Sequence, residues 1–187
     1  MHDVVIKVRA KVNNFAALCS GLHYLRLSEE GDETTTKHFR SMARMHIHDA
    51  VDSNPTNALA VSSLAWIVFL EEAEQAGKDP MVRGSCSELW YSAGIRFAEL
   101  LFSTALSAIA ADKNLSGNRF VSNLFLRYGK FLLAGGAAVQ LEKATLMLLK
   151  GTFLLPVEER PKGDLELIAN LLVEVKLESA AKLMMEK

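Results

Sequence analysis

From residue 15 onward the apolar residues return at intervals of three and four, the period of an α-helix with one buried face. Strict alternation is scarce: VVIKV near the start is the only strand-like stretch, and it runs into a helical pattern. The spacing predicts seven helices, at 3–27, 35–52, 57–75, 85–111, 119–134, 138–154 and 164–186. The breaks between them have chemical causes. SEEGDETTT is acidic and rich in turn formers, the proline of SNPTN cannot continue a helix, and Gly77 precedes Asp79-Pro80. DKNLSGN reads as a loop, Gly135-Gly136 interrupts the next helix, and Pro156 closes the one after. Ser85-x-x-Glu88 has capping-box spacing, and Asp164 is a good N-cap. Long helices joined by short polar breaks become antiparallel neighbours, so the class is all-α, either a bundle or a solenoid.

Two patterns alternate along these helices. The even-numbered ones carry Ala43, Ile47, Ala50, Pro55; then Ala98, Phe102, Ala105, Ala110; then Ala144, Leu148, Gly151, Pro156, at offsets of zero, four, seven and twelve. The first three offsets share one helical face, where small residues admit a neighbouring helix and the large one fills the gap. The odd-numbered ones carry large, large, small, large at offsets zero, three, four and seven. The instances are Phe15-Leu18-Cys19-Leu22, Val61-Leu64-Ala65-Val68, Phe125-Tyr128-Gly129-Leu132 and Leu165-Ile168-Ala169-Leu172.

On these residues the chain resembles the tetratricopeptide family of helix–turn–helix repeats, whose unit is about 34 residues. Ala43 through Pro55 to Val68 matches best, and Tyr128-Gly129 with Gly136 resembles the end of a first helix and its turn. The anchors Ala43, Ala98 and Ala144 stand 55 and 46 residues apart, so extra residues fall at 28–37, 77–86 and 112–118, and Ala110 replaces the closing proline. The resemblance implies a single domain over 1–187. It would be a right-handed α-α superhelix of pairs at 3–53, 57–111 and 119–155 with a C-terminal capping helix at 164–186. Three units is about the minimum for stable stacking.

Composition narrows the function classes. The chain is 50% apolar and 23% charged, with formal net charge −1, which excludes intrinsic disorder and argues against nucleic acid or an anionic membrane as partner. Cys19 and Cys86 lie far apart, which fits a reducing cytoplasmic or nuclear setting. No signal peptide is apparent, and the most apolar run, 58–70, has 13 residues against the about 20 of a bilayer span. It reads as a buried helix.

Candidate chemistry is thin. His46 and His48, two apart, point to different sides of a helix and do not form a metal pair. Cys19 holds the small position of an odd-helix pattern and reads as a packing residue, Cys86 has no nearby histidine to make a nucleophile pair, and Gly135-Gly136 lacks the lysine of a phosphate loop. No catalytic residue, metal or cofactor is expected. In the resembling family the first helices line a concave groove that binds peptides or partner helices. That implies a partner-binding row of Asn13, His23, Ser62, Trp66, Phe69, Asn123, Arg127 and Lys130. Trp66 and Phe69 would be apolar anchors, and Arg127 with Lys130 a positive spot. Against this stands the plainer reading that Trp66 and Phe69 are core and the two cations ordinary solvated charges. The expectation is a noncatalytic interaction module for a protein or peptide partner, acidic or amphipathic. A self-associating, homo-oligomeric scaffold is the second class, and an enzyme or small-ligand receptor in a helical bundle the third.

Overall fold

The structure, a computed structural model, describes residues 2–111, 119–136 and 138–185, with side chains over 12–32, 35–111, 119–136 and 141–176. It is all-helical, with no strand among the described residues. Among the described residues seven α-helices follow one another: α1 (His2–Glu30), α2 (Glu33–Ser53), α3 (Ala58–Gln75), α4 (Ala93–Ala111), α5 (Arg119–Gly135), α6 (Ala138–Leu154) and α7 (Lys162–Met185). Short 3-10 turns lie at Ser87–Leu89 and Val157–Glu159.

Three boundaries differ from the sequence reading. The acidic stretch between α1 and α2 is almost wholly helical, leaving only Gly31 and Asp32 between them. Asp32 is the N-cap of α2: its carboxylate accepts from the Thr35 backbone N–H at 2.9 Å. The helix predicted at 85 begins at Ala93, and Ser85 to Leu89 form turns, so the capping-box spacing marks no helix start. Helix α7 begins two residues before Asp164, which sits in its first turn. The predicted loop at 112–118 lies outside the described residues.

By packing, the chain divides into two compact units, Met1–Val68 with Arg96–Asp112, and Phe69–Ile95 with Lys113–Lys187. In the first, α1 lies along α2. Leu18, Gly21, Leu25 and Ser28 make the buried face of α1, while Ala43, Ile47 and Ala50 of α2 are completely covered. Gly21 is required there, because a Cβ would come within 2.5 Å of Ile47 Cγ1. Asn14 Nδ2 donates to the Ala50 carbonyl at 3.0 Å. Leu18 and Ala50 meet Ala60 of α3 in one cluster, and Trp66 Nε1 donates to Glu29 Oε1 at 3.0 Å.

In the second unit α5 pairs with α6, and α7 packs on α6. The close approach depends on reciprocal glycines: a Cβ on Gly129 would strike Leu148, and one on Gly151 would lie 2.9 Å from the Ser122 carbonyl oxygen. The Ser122 hydroxyl donates to the Gly151 carbonyl at 2.7 Å. The segment after α3 closes the end of α5, where carbonyls lack helical partners. Gly84 and Cys86 backbone N–H groups donate to Leu133 and Ala134 carbonyls, each at 2.9 Å. Trp90 and Phe69 both pack on Phe131, with ring centroids 5.1 Å away.

The even-helix pattern is therefore a packing code. Ala43, Ile47, Ala50, Ala98, Phe102, Ala105, Ala144 and Leu148 have no exposed surface, and Gly151 is buried. The odd-helix pattern holds in α3 and α5 but not in α1, where Phe15 and Cys19 are exposed, nor in α7, where Ala169 and Leu172 are. A flanking helix covers one stripe only.

Candidate partner-binding surface

The eight residues of the expected groove row meet different fates. Ser62, Trp66 and Phe69 are 4%, 3% and 0% exposed, in a helix whose residues 60–70 are all buried. Eleven consecutive buried residues span three turns, so α3 is covered in every direction. Such side chains have no surface to offer a partner unless the core opens. The Ser62 hydroxyl is used internally, donating to the Leu59 carbonyl at 3.2 Å.

The cations are engaged as well. Lys130 Nζ lies 3.6 Å from Asp164 Oδ1, and Asp164 is 14% exposed. Arg127 is half-buried and has an interaction within the chain. Asn123 is exposed on α5, and His23 is exposed on α1 with its ring 5.9 Å from that of Tyr24. Asn13, also exposed, lies at the edge of a cleft in the same unit. Asn13, His23, Ser62 and Trp66 belong to the first unit, and Phe69, Asn123, Arg127 and Lys130 to the second.

The histidine pair takes structural roles. His46 stacks on Tyr24 with rings 4° from parallel, and His48 Nδ1 meets Asp52 Oδ2 at 3.1 Å. Among the described residues, no three His, Cys, Asp or Glu side chains could hold a metal ion. Cys86 is buried and Cys19 exposed, and both are free thiols.

The surface that sequence reasoning passed over is the outward side of α4. Ile95, Ala98, Phe102 and Ala105 make its buried stripe, at intervals of three and four. Opposite lie Phe97 and Leu100, 48% and 63% exposed, followed by exposed Thr104, Ser107 and Ala111. Steps of three, four, three and four give a heptad seam, the spacing with which one helix packs along another. Its hydroxyls already have acceptors: Thr104 Oγ1 donates to Leu100 O and Ser107 Oγ to Ser103 O, both at 2.9 Å. Burying this seam would therefore strand no hydroxyl donor. Among the described residues α4 is the one helix long and apolar enough to cross a membrane, by length and composition alone, and 22% of that stretch is buried. The signal for the seam was present in the sequence as a second apolar spacing, but both stripes of α4 look alike until one is covered.

Compared with known proteins, the chain matches no family model, no curated protein and no solved structure.

Proposed function

We propose that the chain is a noncatalytic protein-interaction module built from divergent tetratricopeptide-like helix pairs, which docks an amphipathic helix of a partner protein. The observation that carries this reading is the seam on α4, 19 residues long with exposed Phe97 and Leu100 and no charged residue at its five positions. The buried small–large–small triads of α2, α4 and α6 support the repeat relationship. The docking surface differs from the groove row first expected, because Trp66 and Phe69 are core and Lys130 is paired with Asp164. At about 1.5 Å per residue the five seam positions, 97 to 111, span about 21 Å, or two heptads. Large residues at its start would supply affinity and small ones toward its end would admit close approach.

An uncharged seam is also compatible with its own copy, so self-association is the second reading. The deciding experiment compares the unaltered chain with Phe97→Lys/Leu100→Lys in affinity capture from native lysate and in sedimentation velocity. Loss of a captured partner by a variant that melts normally supports docking. Concentration-dependent dimers abolished by the substitutions support self-association. Unchanged capture and a monomer throughout would remove α4 from both readings.

A further inference from the structure

A second surface, separate from the α4 seam, lies where α1 passes the turn between α2 and α3. It is a cleft of 720 Å³, within the about 300–1,000 Å³ of small-ligand sites. Leu18 and Phe15 give it an apolar side; Leu18 is 6% exposed, whereas Phe15 is 69% exposed. The remaining lining is Asn13, Asn14, Ser53, Asn54 and Asn57. Among the described residues, no lining residue is ionisable.

The internal hydrogen bonds use part of each polar group and leave the rest. Asn57 Oδ1 accepts from the Leu59 and Ala60 backbone N–H groups, at 3.1 and 3.2 Å, which leaves its two Nδ2 donors. Asn54 Oδ1 accepts from the Thr56 hydroxyl at 2.8 Å, which again leaves Nδ2. Asn14 is the converse: Nδ2 is bonded to Ala50 O, and Oδ1 remains as an acceptor. The Ser53 hydroxyl donates to Asp49 O at 2.8 Å and keeps its lone pairs. Asn13 adds both a donor and an acceptor.

Spare donors and spare acceptors together, with no charge on the described lining, match a group that carries both. We propose that this cleft binds an extended, uncharged peptide segment through its main-chain N–H and C=O groups, with an aliphatic side chain against Phe15 and Leu18. A carboxylate or ammonium entering it would lose water without gaining a counter-charge from the described lining. This inference does not rest on the α4 reading, and either can fail alone.

The test is side-chain amide NMR on the full chain, titrated with N-acetyl-leucine N-methylamide. Saturable shifts of the Asn13, Asn54 and Asn57 amides are expected. Binding should be about tenfold tighter than for N-acetyl-leucine or leucine N-methylamide, which carry one charge each. Asn13→Ala and Phe15→Ala should each weaken it about fivefold. Phe97→Lys/Leu100→Lys should leave it unchanged. Absence of saturable shifts overturns the proposal, as does equal binding of either charged analogue or of maltose. If Asn13→Ala lowers the melting temperature, Phe15→Ala and the probe series on the unaltered chain decide.

Discussion

Helices α3 and α4 are nearly equal in length and similarly apolar, yet they solve different problems. Residues 60–70 of α3 are buried without interruption, including Ser62 and Ser63. Helix α4 covers only Ile95, Ala98, Phe102 and Ala105 and leaves Phe97 and Leu100 in solvent. Apolar composition sets how much surface a helix would gain by hiding, about 25 cal/mol per Å², but not whether the rest of the chain supplies a cover. In α3 that gain is already taken up by folding. In α4 part of it is still available, which is the physical content of calling its outer face a docking seam.

The sharpest way to break the comparison is to truncate one phenylalanine in each. Phe69 has no exposed surface and meets Phe131 edge-on, so Phe69→Ala should cost about 3–5 kcal/mol. Phe97→Ala, from a half-exposed ring, should cost no more than about 1 kcal/mol. Urea denaturation of the two variants reads the difference directly. Equal losses would mean that the outer face of α4 is covered in solution.

A smaller effect separates the two faces of α4 itself. Ala98 has no exposed surface, and Ala98→Leu should destabilise by about 1–3 kcal/mol through overpacking. Ser103 is exposed, and Ser103→Leu should stay within about 0.5 kcal/mol, since leucine is the better helix former. Thermal melts of the pair give the sign. A Ser103→Leu loss as large as that of Ala98→Leu would place a packed neighbour on the seam.

This contrast also explains what could be read in advance. The helix count, Pro55 and Pro156 just beyond helix ends, and the buried triads at Ala43, Ala98 and Ala144 followed from period and local chemistry, which act over a few residues. Gly77 and Gly136 end their helices at φ of +64° and +65°, backbone that glycine adopts without strain. The start of α4 was misread because Ser85 and Cys86 belong to a segment held by Leu133 and Ala134, about fifty residues away in sequence. Nothing local announces that anchor. Trp66 and Phe69 were legible as core or as anchors, and only the cover on every side of α3 chooses between them. The cleft was invisible for the same reason: SNPTN reads as a helix stop, and its two asparagines join Asn13 and Asn14 only after α1 and α2 pair.

Leu100→Lys should change the unfolding free energy by less than the scatter between surface variants, about 0.5 kcal/mol, because a lysine stem can lie along the helix with its charge in water. Its effect should appear in association. Binding of a hydrophobic dye to the native protein should fall, and any self-association measured by light scattering should weaken. Unchanged dye binding would locate the exposed apolar surface elsewhere, with Tyr91 and Phe15 the next aromatic candidates at 79% and 69% exposure.

The smallest expected effect lies outside both helices and calibrates the rest. Arg83 holds Glu174 through two bonds, Nη1 to Oε2 at 2.6 Å and Nη2 to Oε1 at 2.7 Å, joining the segment after α3 to α7. The hydrogen bonds from Arg83 lower the Glu174 pKa below its ordinary value; desolvation opposes them, and the charge of Arg83 adds to them. A folded-state value below the unfolded one means that the pair stabilises the protein above the unfolded pKa, and that this is lost as pH falls through the folded pKa. Glu174→Gln should therefore lower the melting temperature slightly at pH 7 and leave it unchanged at strongly acidic pH, where the native carboxyl is protonated. Both partners are substantially exposed, so water and salt screen the attraction, and 1 M salt should shrink the pH 7 difference further. A larger drop for Glu174→Gln than for Ala98→Leu would mean that the segment after α3 depends on this ion pair rather than on Trp90 and the Leu133 and Ala134 carbonyls. Stability would then be distributed differently from the buried-against-exposed division drawn between α3 and α4.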